Sequence, residues 1–95
     1  MTLDRLRAHR GEILQLAEHH GLRNVRVIGS VARGDDRPDS DVDVLVDVEP
    51  GRSLLDVIGF EQDVSDLLER RGEVLTDGGL SPHLHDRILE DASFL

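Results

Sequence analysis

The sequence predicts an α/β fold: a small mixed β-sheet with helices on one face. Three observations carry that prediction. Positions 41–48 alternate, with Val42, Val44, Val46 and Val48 set against Asp41, Asp43, Leu45 and Asp47. A shorter apolar run, Val25, Val27 and Ile28, ends abruptly in Gly29-Ser30. Between and around these runs, apolar residues recur at helical spacing behind helix-start signals. Successive side chains of a strand point to opposite faces, so the valines define a core face. Asp41 and Asp43 then project side by side from the other face.

The elements follow in chain order. Thr2 is a suitable N-cap, and Leu3, Leu6, Ile13, Leu14 and Ala17 form a helical stripe ending near Gly21. The first strand is expected over residues 24–28, with a helical turn from Val31. A polar loop, 34–39, contains Pro38 and leads into the long strand 41–48. Pro50-Gly51 turns the chain. Ser53 and Asp56 have the spacing of a capping box. The helix behind them carries Leu54, Val57, Ile58, Val64, Leu67 and Leu68, with Gly59 as an internal weak point. Arg70 and Arg71 suit its last turn, and Gly72 its end. A third strand spans 73–76, and Asp77-Gly78-Gly79 turns. Ser81-Pro82 opens a last helix with Leu84, Ile88, Leu89 and Ala92 inward.

Ninety-five residues make one domain, 1–95, with a modest core. No apolar run approaches the roughly eighteen residues that span a membrane, and no signal peptide is visible. With no Cys there is neither a disulfide nor a thiolate zinc site, and a cytoplasmic location is expected. Net charge is −9, from 20 acids against 11 bases. That balance repels the phosphates of a long nucleic acid and suits a basic protein partner. All the bases are Arg, so no lysine nucleophile or phosphate clamp exists. Phe60 and Phe94 are the only aromatics, too few for a base-stacking platform.

The chemistry lies in Gly29-Ser30 and Asp41-Val42-Asp43. Gly29 lets backbone approach a phosphate closely, and Ser30 adds a hydroxyl donor. Arg33 adds charge if it faces the site, though a solvent-facing arginine is the plain alternative. Asp41 and Asp43 offer the hard oxygens that Mg²⁺ prefers, with water and phosphate completing the shell. Two such ions, roughly 3.5–4 Å apart, can clamp the attacking and leaving oxygens of an in-line displacement. Either half alone is weak, since an Asp-x-Asp in an acidic chain is usually a solvated strand face. Together they describe transfer of a nucleotidyl group.

At these residues the chain resembles the nucleotidyltransferase superfamily that includes DNA polymerase beta. The fuller Gly29-Ser30-Val31-Ala32-Arg33-Gly34 and Ser40-Asp41-Val42-Asp43, in so short a chain, resemble the minimal nucleotidyltransferase group. Its members often act as antitoxins beside a helical toxin of the HEPN ribonuclease type. The resemblance covers nearly the whole chain. It implies a third carboxylate on a neighbouring strand. The matching segment is Gly72-Glu73-Val74-Leu75-Thr76, which puts Glu, one methylene longer than the usual Asp, at position 73. By resemblance, Asp41, Asp43 and Glu73 are catalytic and metal-holding, and Gly29, Ser30 and Arg33 hold the nucleotide. The expected cofactor is Mg²⁺, as two ions, and the expected substrate ATP. The resemblance further implies a tyrosine hydroxyl of a HEPN-type partner toxin as the acceptor, which adenylylation would silence. Two alternatives stay open: a small-molecule transferase whose partner completes the acceptor site, and an antitoxin acting by contact alone.

Other polar residues read as bystanders. His83 and His85, two apart, do not share a helical face, and His19-His20 lie at a helix end. All four are expected in solvent or facing a partner. Asp35, Asp36, Asp47 and Glu49 are expected to be solvated.

Overall fold

A four-stranded mixed sheet in the order β3-β2-β1-β4 organises the computed structural model, which describes residues 1–35, 37 and 39–95. The elements are α1 (Leu3–Arg7), α2 (Arg10–His19), β1 (Leu22–Ile28), α3 (Gly29–Arg33) and β2 (Val42–Val48). Then come α4 (Leu54–Leu68), β3 (Gly72–Thr76), a 3-10 turn (Asp77–Gly79), α5 (Pro82–Asp91) and β4 (Ser93–Phe94). β1 runs antiparallel to β2 and to β4, while β2 and β3 are parallel. Pro38 and Asp36, which the sequence placed in a polar loop, lie outside the described residues.

The valine face of β2 carries the core. Val42, Val44 and Val46 join Val25 and Val27 of β1, Ile13 and Ala17 of α2, and Val57, Phe60, Val64 and Leu68 of α4. Phe60 and Val27 are completely buried. Ser53 and Asp56 form the expected capping box, the Ser53 N–H donating to Asp56 Oδ2 at 3.0 Å.

Several boundaries differ from expectation. The first helical stripe is two helices. At His9 (φ −98°, ψ 13°) the N–H turns back to Leu6 O, and Gly11, a poor helix former, follows. β1 starts earlier, at Leu22, with an irregularity between Arg23 and Arg26 where Asn24 takes φ +54°. α3 begins at Gly29 instead of Val31. α4 stops at Leu68, because Glu69 turns left-handed at φ +52°. Arg70 and Arg71 therefore sit in the connection, and Gly72 opens β3 instead of ending the helix. Gly59 has a packing role. A Cβ there would stand 2.8 Å from His20 Cε1, so the missing side chain lets α2 and α4 approach. β4 was not foreseen. It pairs Phe94 with Arg26 and Ser93 with Val27.

The largest departure concerns α5. None of its residues is buried, and the expected inward residues Leu84 and Leu89 are 51% and 36% exposed. α5 stays outside the main core. Leu54 and Ile58 of α4 are likewise exposed, because the stripe of that helix turns through Val57 and Phe60.

Candidate active site

Strand register assembles the site. In the sheet Asp43 lies opposite Glu73 of β3 on one side and Ile28 of β1 on the other. Gly29-Ser30 follows Ile28 directly, so the turn meets Asp43. Gly29 has φ +72°, and a Cβ on it would come within 2.5 Å of Asp43 Oδ2. Only glycine satisfies both the left-handed backbone and that close approach. Ser30 beside it is partly buried.

Asp41 precedes the first strand residue, and Val42 between the two aspartates turns fully into the core. Asp41 is partly exposed, with Arg71 Nη1 4.0 Å from its Oδ2. Glu73 is exposed. The Asp43 carboxyl is pushed above its ordinary value, first by burial, then by the charges of Glu73 and Asp41 and a hydrogen bond with Glu73. Arg33 pulls it partly back. Arg33 is itself exposed, its Nε 3.3 Å from Asp35 Oδ2 and its Nη1 3.8 Å from Asp91 Oδ2.

The residues fit a hard divalent cation. Negative charge accumulates on Asp43 from two neighbouring carboxylates, which a cation would relieve, and every donor is oxygen. Among the described residues no three His, Cys, Asp or Glu side chains stand together as a closed metal cage. An open carboxylate pair is the usual arrangement for Mg²⁺, which keeps several waters and is completed by substrate phosphates.

Beyond Leu45, which is fully buried on this same face, lies a cluster that sequence reasoning missed. Arg26 is 8% exposed and binds Asp47 Oδ1 at 2.7 Å and Asp77 Oδ2 at 3.2 Å. His85 Nε2 meets Asp77 Oδ1 at 3.0 Å. Burial opposes ionisation of Asp77, but hydrogen bonds from His85 and Arg26 hold its carboxyl below the ordinary value. Asp47 and His85 are therefore tied into the fold and not solvated as expected. His20 likewise bonds Asp63 Oδ2 at 2.7 Å. The available signal was Arg26 itself, a cation set between Val25 and Val27.

A glycine turn pressed against one of two strand carboxylates, with a third acid on the adjoining strand, defines the nucleotidyl-transfer class. The chain belongs to the nucleotidyltransferase domain family, whose model matches residues 6–95. It is 36% identical over 90 residues to the protein adenylyltransferase MntA of Thermococcus cleftensis, covering 95% of this chain and 88% of that one. Its fold matches a solved structure bearing the name minimal nucleotidyltransferase, with TM-score 0.89 and 44% identity over 100% of this chain and 97% of the other. An MNT antitoxin in complex with a tri-AMPylated HEPN toxin of Shewanella oneidensis shares the fold, with TM-score 0.70. Its identity is 13%, over 93% of this chain and 69% of that one.

Proposed function

We propose that this chain transfers AMP from ATP to a tyrosine hydroxyl of a HEPN-type partner toxin and so neutralises it. The observation that carries the reading is Gly29 packed against Asp43, with Asp41 and Glu73 bearing on the same carboxylate. The MntA relative is named for protein adenylyltransferase activity, and the antitoxin of like fold is seen with an AMPylated toxin.

Asp41 and Asp43, with help from Glu73, would hold two Mg²⁺ ions. When bound, the ions supply positive charge to the phosphates and orient the displacement. Gly29 and Ser30 hold the β- and γ-phosphates through close backbone approach and the Ser30 hydroxyl, and Arg33 adds charge. The acceptor oxygen bonds to the α-phosphorus as the bond to the bridging oxygen breaks. That electron pair leaves with pyrophosphate, and the hydroxyl proton passes to Glu73. The partner brings the acceptor, and its contact flanks the carboxylates instead of covering them.

Intact mass of the helical partner encoded beside this chain, taken after incubation with ATP and Mg²⁺, tests the reading. A gain in steps of one AMP is expected. An unchanged mass, with tight binding that Asp43→Asn retains, would mean inhibition by contact alone.

A further inference from the structure

A cavity of about 410 Å³ opens between α3 and α5. Ile28, Leu84 and Ile88 form its apolar part, and Gly29, Arg33 and Arg87 border it too, with Glu90 and Asp91. Gly29 is shared with the carboxylate site, because that residue packs on Asp43. The sheet order supplies a direction. Glu73 on β3, Asp43 on β2 and Gly29 at the end of β1 follow one another across the sheet. The cavity takes its lining from the β1 end, α3 and α5, and none from β2 or β3. It therefore lies past Gly29, on the side away from Glu73.

In phosphoryl and nucleotidyl transfer the leaving oxygen departs roughly opposite the attacking one. With the acceptor hydroxyl at Glu73, pyrophosphate departs towards Gly29 and the cavity beyond it. We infer that this cavity receives the β- and γ-phosphates, and that Arg87 of α5 binds them beside Arg33. The inference rests on the adenylyltransferase reading above and adds α5 to its nucleotide site.

The two arginines differ in their present partners. Arg33 is held by Asp35 and Asp91. Arg87, exposed on α5, makes no salt bridge among the described residues. A polyphosphate offers both guanidinium groups paired oxygens, which they bind better than a single carboxylate at 3.8 Å. Asp91 then competes with phosphate for Arg33, whereas Arg87 only attracts it. Two side chains of one helix, both exposed, should act on the same ligand with opposite sign.

Calorimetric titration of the purified chain with magnesium pyrophosphate and, separately, with AMP and Mg²⁺ tests this. Arg87→Gln should weaken pyrophosphate binding about 10-fold, the scale of one charge-assisted hydrogen bond, and leave AMP within about 2-fold. Arg87→Lys should retain part of the affinity, and Asp91→Asn should tighten pyrophosphate. Unchanged pyrophosphate affinity in Arg87→Gln overturns the inference while leaving the adenylyltransferase reading intact. An equal loss for AMP and pyrophosphate also overturns it, since the cavity would then take the nucleoside. If the unaltered chain binds neither AMP nor pyrophosphate, both readings fall together.

Discussion

On one face of β2, Val42, Val44 and Val46 are at most 3% exposed and share a core with Phe60 and Val64. On the other face, one residue away in sequence, Asp43 stands partly buried beside two further carboxylates. The valine face gains stability from burial. The aspartate face gives some up, because like charges gather where water is partly excluded. A strand with such opposed faces suits the divalent cation proposed above, and α4 packs behind it.

The sharpest way to break that contrast is Asp43→Asn. Transfer should be abolished, and so should it be with Asp41→Asn. Stability should move the other way. The raised Asp43 carboxyl binds its proton more tightly folded than unfolded, so the native state loses stability as pH rises from about the ordinary value of 3.8. Asp43→Asn should melt higher than the unaltered chain at pH 7, and this advantage should fade as pH falls towards 3.8. A lower melting temperature at pH 7 would show that Asp43 is structural.

Next in size is Glu73→Gln, expected to slow transfer by about 10²–10⁴-fold with ATP binding little changed. Glu73→Asp should keep part of the rate. A Gln variant at full rate would remove Glu73 from the chemistry. On the core side, Phe60→Ala should cost about 3–5 kcal/mol in denaturant titration, because the ring is completely buried. A loss below about 1 kcal/mol would mean that the face behind the site is not the rigid one.

Gly29→Ala couples the two faces. The φ of +72° alone costs a side chain about 1–2 kcal/mol, and the new methyl meets Asp43 Oδ2. Activity should fall further than the folded fraction does. The smallest effect belongs to α5. Leu84→Ala, at a residue 51% exposed, should change stability by no more than about 0.5 kcal/mol. A larger loss would show that α5 is held as firmly as α4.

Much of the site could be read directly because its parts are local. The two-residue spacing of Asp41 and Asp43 sets both apart from the valines, Asp41 just before β2 and Asp43 within it, and Gly29-Ser30 follows directly on β1. Helix ends were harder. Glu69 takes a left-handed turn that ordinarily marks glycine, so Gly72 looked like the stop and Arg70 and Arg71 looked helical. Leu84 and Leu89 had the right period for burial, but periodicity does not say whether a facing surface exists. α2 and α4 already fill the core face.

The strand face, the glycine turn and the acidic balance were determined by the sequence alone, since each follows from neighbours in the chain and the two-residue period of a strand. Tertiary structure decided what stands beside them. Parallel pairing of β2 with β3 set Glu73 against Asp43. Folding of the 3-10 turn and α5 over β1 turned Asp47 and His85 into partners of a buried Arg26 network, and brought Arg87 to a cavity shared with Gly29. Apart from the His85–Asp77 bond, those contacts join residues tens of positions apart, and long-range pairing is settled by which surfaces bury each other and leaves no local signature.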